Sequence, residues 1–269
     1  MKKRKKTAWI VGIIAALLLV ENLFIGYRFS WGLFKGLGDI RMGKLPGNAP
    51  EYSMNGVKRL AGNPLDGKNV LFLGSSVTYG AASVREGIPE YFAARLGCKV
   101  TKEAVSGTTL VDNGDSSYVQ RLLKNVDPAT PYSLVVCQLS TNDATKKLPL
   151  GQIGQGTDKD SFDTATVTGA MEFIIAYARE TWDCPVVFYT NARYDSAEYA
   201  AMVQRLRELQ DKWGIGVLDL WTDDEFNAIS DADRALYMND NIHPTKAGYR
   251  DWWCPVMEQQ LLDYLNSIG

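Results

Sequence analysis

The chain has 269 residues, 46% hydrophobic and 22% charged, a balance that places it among folded globular proteins with room for one sizeable domain. Its 29 basic and 31 acidic residues give a net charge of −2. Five of the basic residues are Lys2, Lys3, Arg4, Lys5 and Lys6, so the remainder holds 24 basic against 31 acidic residues, and nucleic acid is excluded as the expected partner.

The basic run precedes thirteen uncharged residues, 8–20, and apolar character resumes over residues 23–27. A cleaved signal peptide requires small residues just past its apolar core, whereas Leu19, Val20, Glu21, Asn22, Leu23 and Phe24 stand here. Residues 1–27 are therefore expected to be a cytoplasmic basic end and an uncleaved transmembrane anchor. The anchor uses residues 23–27 to approach the ~20 residues of a bilayer span and accommodates Glu21 near the far interface. The positive-inside rule then leaves the rest of the chain extracytoplasmic. Residues 28–66, broken by Gly32, Gly36, Gly38, Gly43, Pro46, Gly47 and Pro50, read as a linker or stalk that partly drapes the domain formed by residues 67–269.

Within that domain residues 69–73, 99–104, 133–139, 185–190 and 216–220 read as strands alternating with amphipathic stretches, which predicts a parallel α/β sheet. Residues 163–182 carry Val167, Ala170, Met171, Ile174, Ile175 and Ala178 at helical spacing, one stripe facing a sheet. A second helix over 195–213 opens on Asp195 and Glu198 as a capping pair, and a third, from Thr245, should kink at Pro255. The fold expected is a three-layer α/β/α sandwich with a five-stranded parallel, flavodoxin-like sheet, whose ligands bind outside the carboxyl ends of the strands. Cys98, Cys137, Cys184 and Cys254 lack metal-ligand spacing and read as buried free thiols, with Cys184 and Cys254 the first pair to test for a disulfide.

The first strand runs into Gly74, Ser75, Ser76, Val77, Thr78, Tyr79 and Gly80, so a serine sits where a nucleophile belongs. Thr78 stands where a G-x-S-x-G elbow needs its second glycine, and no lysine follows Gly80 as a phosphate loop requires. Near the other end, Asp240 precedes the chain's one histidine, His243, by three residues, close enough for the carboxylate to fold back onto the ring. Asn142 after the third predicted strand and Gly107 after the second lie where donors to an oxyanion are needed, although Asn142-Asp143 is equally a common turn or cap pair.

Together these segments resemble the SGNH, or GDSL-like, hydrolase family, whose ordered blocks carry Ser, then Gly, then Asn, then Asp-x-x-His. The resemblance runs from Lys68 to the C-terminus and rests chiefly on residues 71–80, 140–143 and 240–249. It implies a Ser76, His243 and Asp240 triad, with an oxyanion hole from the Ser76 and Gly107 backbone and the Asn142 side chain. It also implies ester substrates, small acyl esters of carbohydrate or lipid. Ser75 stands where the family usually has Asp, and Ser140 where a Gly usually precedes the Asn-Asp pair. No metal cluster or dinucleotide fingerprint is present, so no cofactor is expected. An O-acyltransferase using the same residues, or a non-catalytic glycan-binding module, are the rival readings.

Overall fold

The computed structural model describes residues 2–29, 32–34 and 36–269, with only the backbone at residues 2–8, 28 and 29. Residues 30, 31 and 35 of the expected linker, and the side chains of the basic run, lie outside the described residues.

Five strands, β1 (Asn69–Gly74), β2 (Lys99–Ala104), β3 (Tyr132–Gln138), β4 (Val186–Tyr189) and β5 (Gly216–Leu218), form one parallel sheet in the order β2-β1-β3-β4-β5. This is the flavodoxin-like order, with its switch point between β1 and β3. Each strand lies within two residues of its sequence expectation at either end.

Eleven α-helices accompany the sheet among the described residues. They are α1 (Lys2–Phe29), α2 (Gly36–Gly43), α3 (Ser76–Tyr79), α4 (Ile88–Leu96), α5 (Tyr118–Asn125) and α6 (Thr141–Thr145). The rest are α7 (Val167–Trp182), α8 (Ala197–Trp213), α9 (Asp224–Asn227), α10 (Asp231–Tyr237) and α11 (Cys254–Ile268).

The strands other than the edge strand β2 are apolar on both faces because helices cover both. Strand periodicity of two sends Leu71, Leu73, Val135, Cys137, Val186 and Phe188 to one core, with α5, α7 and α8. Val70, Phe72, Leu134, Val136, Val187 and Tyr189 point the other way, onto α4 and α11. All four cysteines are free and buried. Cys184 lies in the first core and Cys254 in the second, so the sheet separates the pair proposed for a disulfide.

Two helix starts differ from expectation. Ser196, not Asp195, caps α8 by accepting the Tyr199 N–H. Pro255 stands in the first turn of α11, but that helix continues without a break from the residues before it, so the missing Pro255 N–H interrupts the helical hydrogen-bond ladder. The irregularity falls just ahead, in a π-helical segment, Gly248–Trp253. There the extra residue per turn turns Tyr249, Trp252 and Trp253 inward.

The segment expected as a linker is largely built onto the domain. After α2 it runs through three 3₁₀ turns, Pro46–Asn48, Pro50–Tyr52 and Met54–Gly56, and buries Met42, Met54 and Leu65. We call residues 36–56 the strap. Upstream, α1 contains Trp9–Tyr27, 19 residues long and apolar enough to cross a bilayer by length and composition. Arg41 of α2 donates to the Tyr27 carbonyl at 3.0 Å and lies over the Tyr27 ring.

Candidate active site

All the site residues expected from the sequence meet at the carboxyl edge of the sheet. Ser76 opens α3 directly after β1, Gly107 follows β2, and Asn142 lies in α6 directly after β3. His243 comes from the loop between α10 and the π segment. They line one cavity of about 310 Å³ together with Asp240, Ser106, Tyr79, Ala81, Ala82, Asn239 and three strap residues, Asp39, Arg41 and Met42.

The turn that carries Ser76 is held from behind by a residue whose importance the sequence does not signal. Gln138, the buried last residue of β3, receives four donors on Oε1: Ser75 N at 2.9 Å, Ser75 Oγ at 3.3 Å, Thr78 N at 3.3 Å and Thr78 Oγ1 at 2.9 Å. Thr78 Oγ1 also lies 2.6 Å from the Tyr189 hydroxyl. A side chain at Gly74 would run into Thr78 and Gln138, which is why β1 ends on glycine. Tyr249 donates its hydroxyl to the Val77 carbonyl at 2.7 Å, tying α3 to the π segment. Ser75, in the place of the family's Asp, thus points its hydroxyl inward to Gln138 while Ser76 faces the cavity.

Ser76 Oγ lies 2.8 Å from His243 Nε2. On the far side of the ring, Nδ1 is 2.9 and 3.0 Å from the two Asp240 oxygens. Asp240 Oδ1 also accepts the Ile242 and His243 N–H groups, both at 2.9 Å, and Asn239 Nδ2 donates to Oδ2 at 3.0 Å. Burial pushes the Asp240 carboxyl up, but the hydrogen bond and charge of His243 and these backbone donors outweigh it and hold the group well below the usual carboxylate range. The loop closes on itself through Asn239 N to His243 O, 2.9 Å, and an antiparallel bridge between Met238 and Pro244.

Asn142 Nδ2 donates to the Thr108 carbonyl at 2.9 Å, which spends one amide hydrogen and leaves the second for the cavity. Gly107 has φ +82°, a left-handed conformation that favours glycine, with open space where a Cβ would stand. Lys146 Nζ donates to its carbonyl at 3.1 Å. Beneath this loop, buried Asp143 accepts Leu110 N at 2.9 Å and Val111 N at 3.0 Å. Burial pushes its carboxyl above the ordinary value although the Ser140, Val111 and Leu110 donors pull the other way. Ser140, in the place of the family's Gly, caps α6 by accepting the Asp143 N–H. Buried Arg121 joins the strand ends, donating to Gly74 O at 2.7 Å, Glu103 O at 2.7 Å and Thr108 Oγ1 at 3.2 Å.

The arrangement offers a hydroxyl on an imidazole, an ionised carboxylate behind the ring, and donors around a small cavity, the requirements of acyl transfer. Comparison with known proteins agrees. A Lactobacillus plantarum protein of solved structure superposes with a TM-score of 0.56 at 22% identity, over 75% of this chain and 98% of that one. A protein described as a GDSL-like lipase from Bacteroides ovatus gives 0.53 at 17%, over 75% and 99%. A family two carbohydrate esterase from Clostridium thermocellum, solved with cellohexaose, gives 0.53 at 17%, over 78% and 67%. At these identities the likeness establishes the fold. No curated protein sequence matches the chain significantly. The GDSL-like lipase/acylhydrolase family model matches residues 72–250, so the chain belongs to that family and is an ester-hydrolysing serine hydrolase.

Proposed function

We propose that Ser76, His243 and Asp240 are the catalytic triad of an esterase anchored in a membrane by α1, with its domain on the outer side, acting on small acyl esters, acetyl above all, of carbohydrate or lipid. The observation that carries this is the unbroken sequence Ser76 Oγ, His243 Nε2, His243 Nδ1, Asp240 carboxylate, every step at 3.0 Å or less.

In this mechanism Ser76 Oγ attacks the ester carbonyl carbon and its proton passes to His243 Nε2. The ionised Asp240 fixes the ring orientation and stabilises the imidazolium. The carbonyl oxygen, now negative, is held by the Ser76 and Gly107 N–H groups and the second hydrogen of Asn142 Nδ2. The alcohol leaves with the proton from His243, giving an acyl-Ser76. Water, deprotonated by the same imidazole, attacks that ester and frees the acid and Ser76 Oγ. The cleft that acyl group and alcohol would share is about 310 Å³, at the small end of ligand sites, which supports a small substrate.

Labelling with a serine-directed phosphonate and peptide mass spectrometry tests the assignment. An adduct on Ser76 is expected, and an adduct on Ser75 overturns it. The topology is tested separately by protease added to intact cells, which should remove the domain. A mature chain beginning after residue 25 overturns the anchor, because the apolar segment would then be a cleaved signal.

A further inference from the structure

One wall of the cavity comes from no strand of the sheet and precedes the family-matched residues 72–250. Asp39, Arg41 and Met42 of α2 face the same space as Ser76, Asn142 and His243. Polar bonds hold them there, those of Asn48 buried. The amide of Asn48, itself buried, donates to Met42 O at 2.8 Å and Ala82 O at 2.7 Å, and its carbonyl accepts Lys246 N at 2.8 Å. One side chain thus joins the strap to the segment after α3 and to the turn three residues past His243. Asp39 Oδ2 pairs with Arg85 at 2.5 Å. Glu86 accepts Ser53 Oγ at 2.9 Å and Met54 N at 2.8 Å, and also pairs with Lys246. Burial pushes the Glu86 carboxyl up, but Lys246, Met54 and Ser53 outweigh this and hold it below its ordinary value.

The chemistry presented by this wall is specific. Asp39 is charge-compensated by Arg85, so it can accept a hydroxyl hydrogen without setting an unpaired charge against a neutral ligand. Met42 is buried at the cavity edge and offers an adaptable apolar surface. Asn239, from the loop of the catalytic histidine, adds an amide to the lining. A carboxylate and an amide for hydroxyls, beside an apolar patch for a ring face, suit a sugar. A fatty chain in the same place would have to desolvate Asp39 and Arg41.

We propose that α2 is the leaving-group subsite of this esterase, with Asp39 binding a hydroxyl of the sugar alcohol and Met42 supporting its ring while the acyl group occupies the Ser76, Gly107 and Asn142 end. This rests on the esterase reading above and adds to it a carbohydrate alcohol and two specificity-determining residues from outside the matched domain.

The test uses the full-length protein in detergent with two substrates, an O-acetylated xylo-oligosaccharide and p-nitrophenyl acetate, whose leaving group carries no sugar hydroxyls. Asp39→Ala and Met42→Ala should each lower the ratio of kcat/KM for the oligosaccharide to that for p-nitrophenyl acetate by about tenfold, chiefly through KM for the oligosaccharide. Asp39→Asn, which keeps an acceptor oxygen, should recover part of the loss. Equal falls on both substrates, or no change in the ratio, overturns the proposal. Calorimetric titration of the oligosaccharide into Ser76→Ala, with and without Asp39→Ala, reads the subsite without chemistry, and about tenfold weaker binding is expected in the double variant. Equal affinities, or no binding to Ser76→Ala, also overturn the subsite. If the native protein hydrolyses neither substrate but binding still falls with Asp39→Ala, the esterase reading fails and the subsite stands.

Discussion

The proposed nucleophile and the base proposed to face it are supported in opposite ways. Ser76 is 7% exposed and rides on a turn whose neighbours are bonded to the buried Gln138. His243 and Asp240 have side chains 26% and 48% exposed, and their loop is closed mainly by bonds within residues 238–244. Buried polar networks of the first kind are costly to break but position a group closely. A local, half-exposed loop yields more readily, so the Asp240 carboxylate and the strap beside it carry more of the burden of orientation. The difference teaches where a substitution should act through geometry and where through charge.

The sharpest way to test this contrast is at the two adjacent serines. Ser76→Ala should abolish turnover down to the small residue left by oxyanion donors and binding, a loss of at least about 10³-fold, whereas Ser75→Ala keeps most of it because Gln138 still receives the Ser75 N–H. Steady-state esterase kinetics decide, and near-normal activity in Ser76→Ala defeats the assignment. Next in size is Asn142→Ala, for which kcat should fall roughly 10²-fold with KM little changed, as for a lost oxyanion donor. A change confined to KM would assign Asn142 to substrate positioning.

A smaller effect is expected behind the nucleophile. Gln138→Met removes the shared acceptor and should lower kcat about tenfold with KM retained, while Gln138→Glu, which keeps an acceptor oxygen for the same four donors, should restore much of the rate. If the two variants behave alike, the network serves stability and not placement of Ser76. The smallest effect concerns pH on the exposed side. Asp240 is held below its ordinary value in the folded chain. Its contribution to stability is therefore complete above the unfolded value of about 4 and is lost as pH falls toward the lower folded one. Thermal melts of Asp240→Asn against the native protein should show a Tm difference that shrinks as pH falls from 5 toward 2. A difference independent of pH over that range would show that charge is not what Asp240 contributes.

What could be read from the sequence follows the same division. Four of the five strands were legible as short apolar runs, β2 (Lys99–Ala104) being the charged, half-exposed exception at the sheet edge, and Ser76, Gly107 and Asn142 stood out because they lie within four residues of strand ends. His243 was legible because it has no competitor in the chain. The strap was legible only as a linker partly draping the domain, since it is held by scattered bonds of Asn48, Asp39, Ser53 and Met54 that leave no period, and its glycines and prolines resemble those of a free linker. Gln138 was hidden for another reason: at the end of an apolar strand a glutamine gives no hint of four donors converging from residues 75 and 78. Asp195 and Ser196 are both good caps, and only the backbone turn chooses between them.

The Asn48 clamp also has a consequence for the order of events during synthesis. Its partners are Met42, Ala82 and Lys246, so a residue made among the first fifty waits for an N–H made almost two hundred residues later. Contacts of such long sequence separation form late in folding. On a chain emerging N-terminus first, α2 cannot be locked against the catalytic loop until Lys246 has been added, and the histidine itself arrives only three residues before. On the proposed triad, a nascent chain that has not reached His243 lacks its base, and one that has not reached Lys246 leaves the cleft with an unfastened wall.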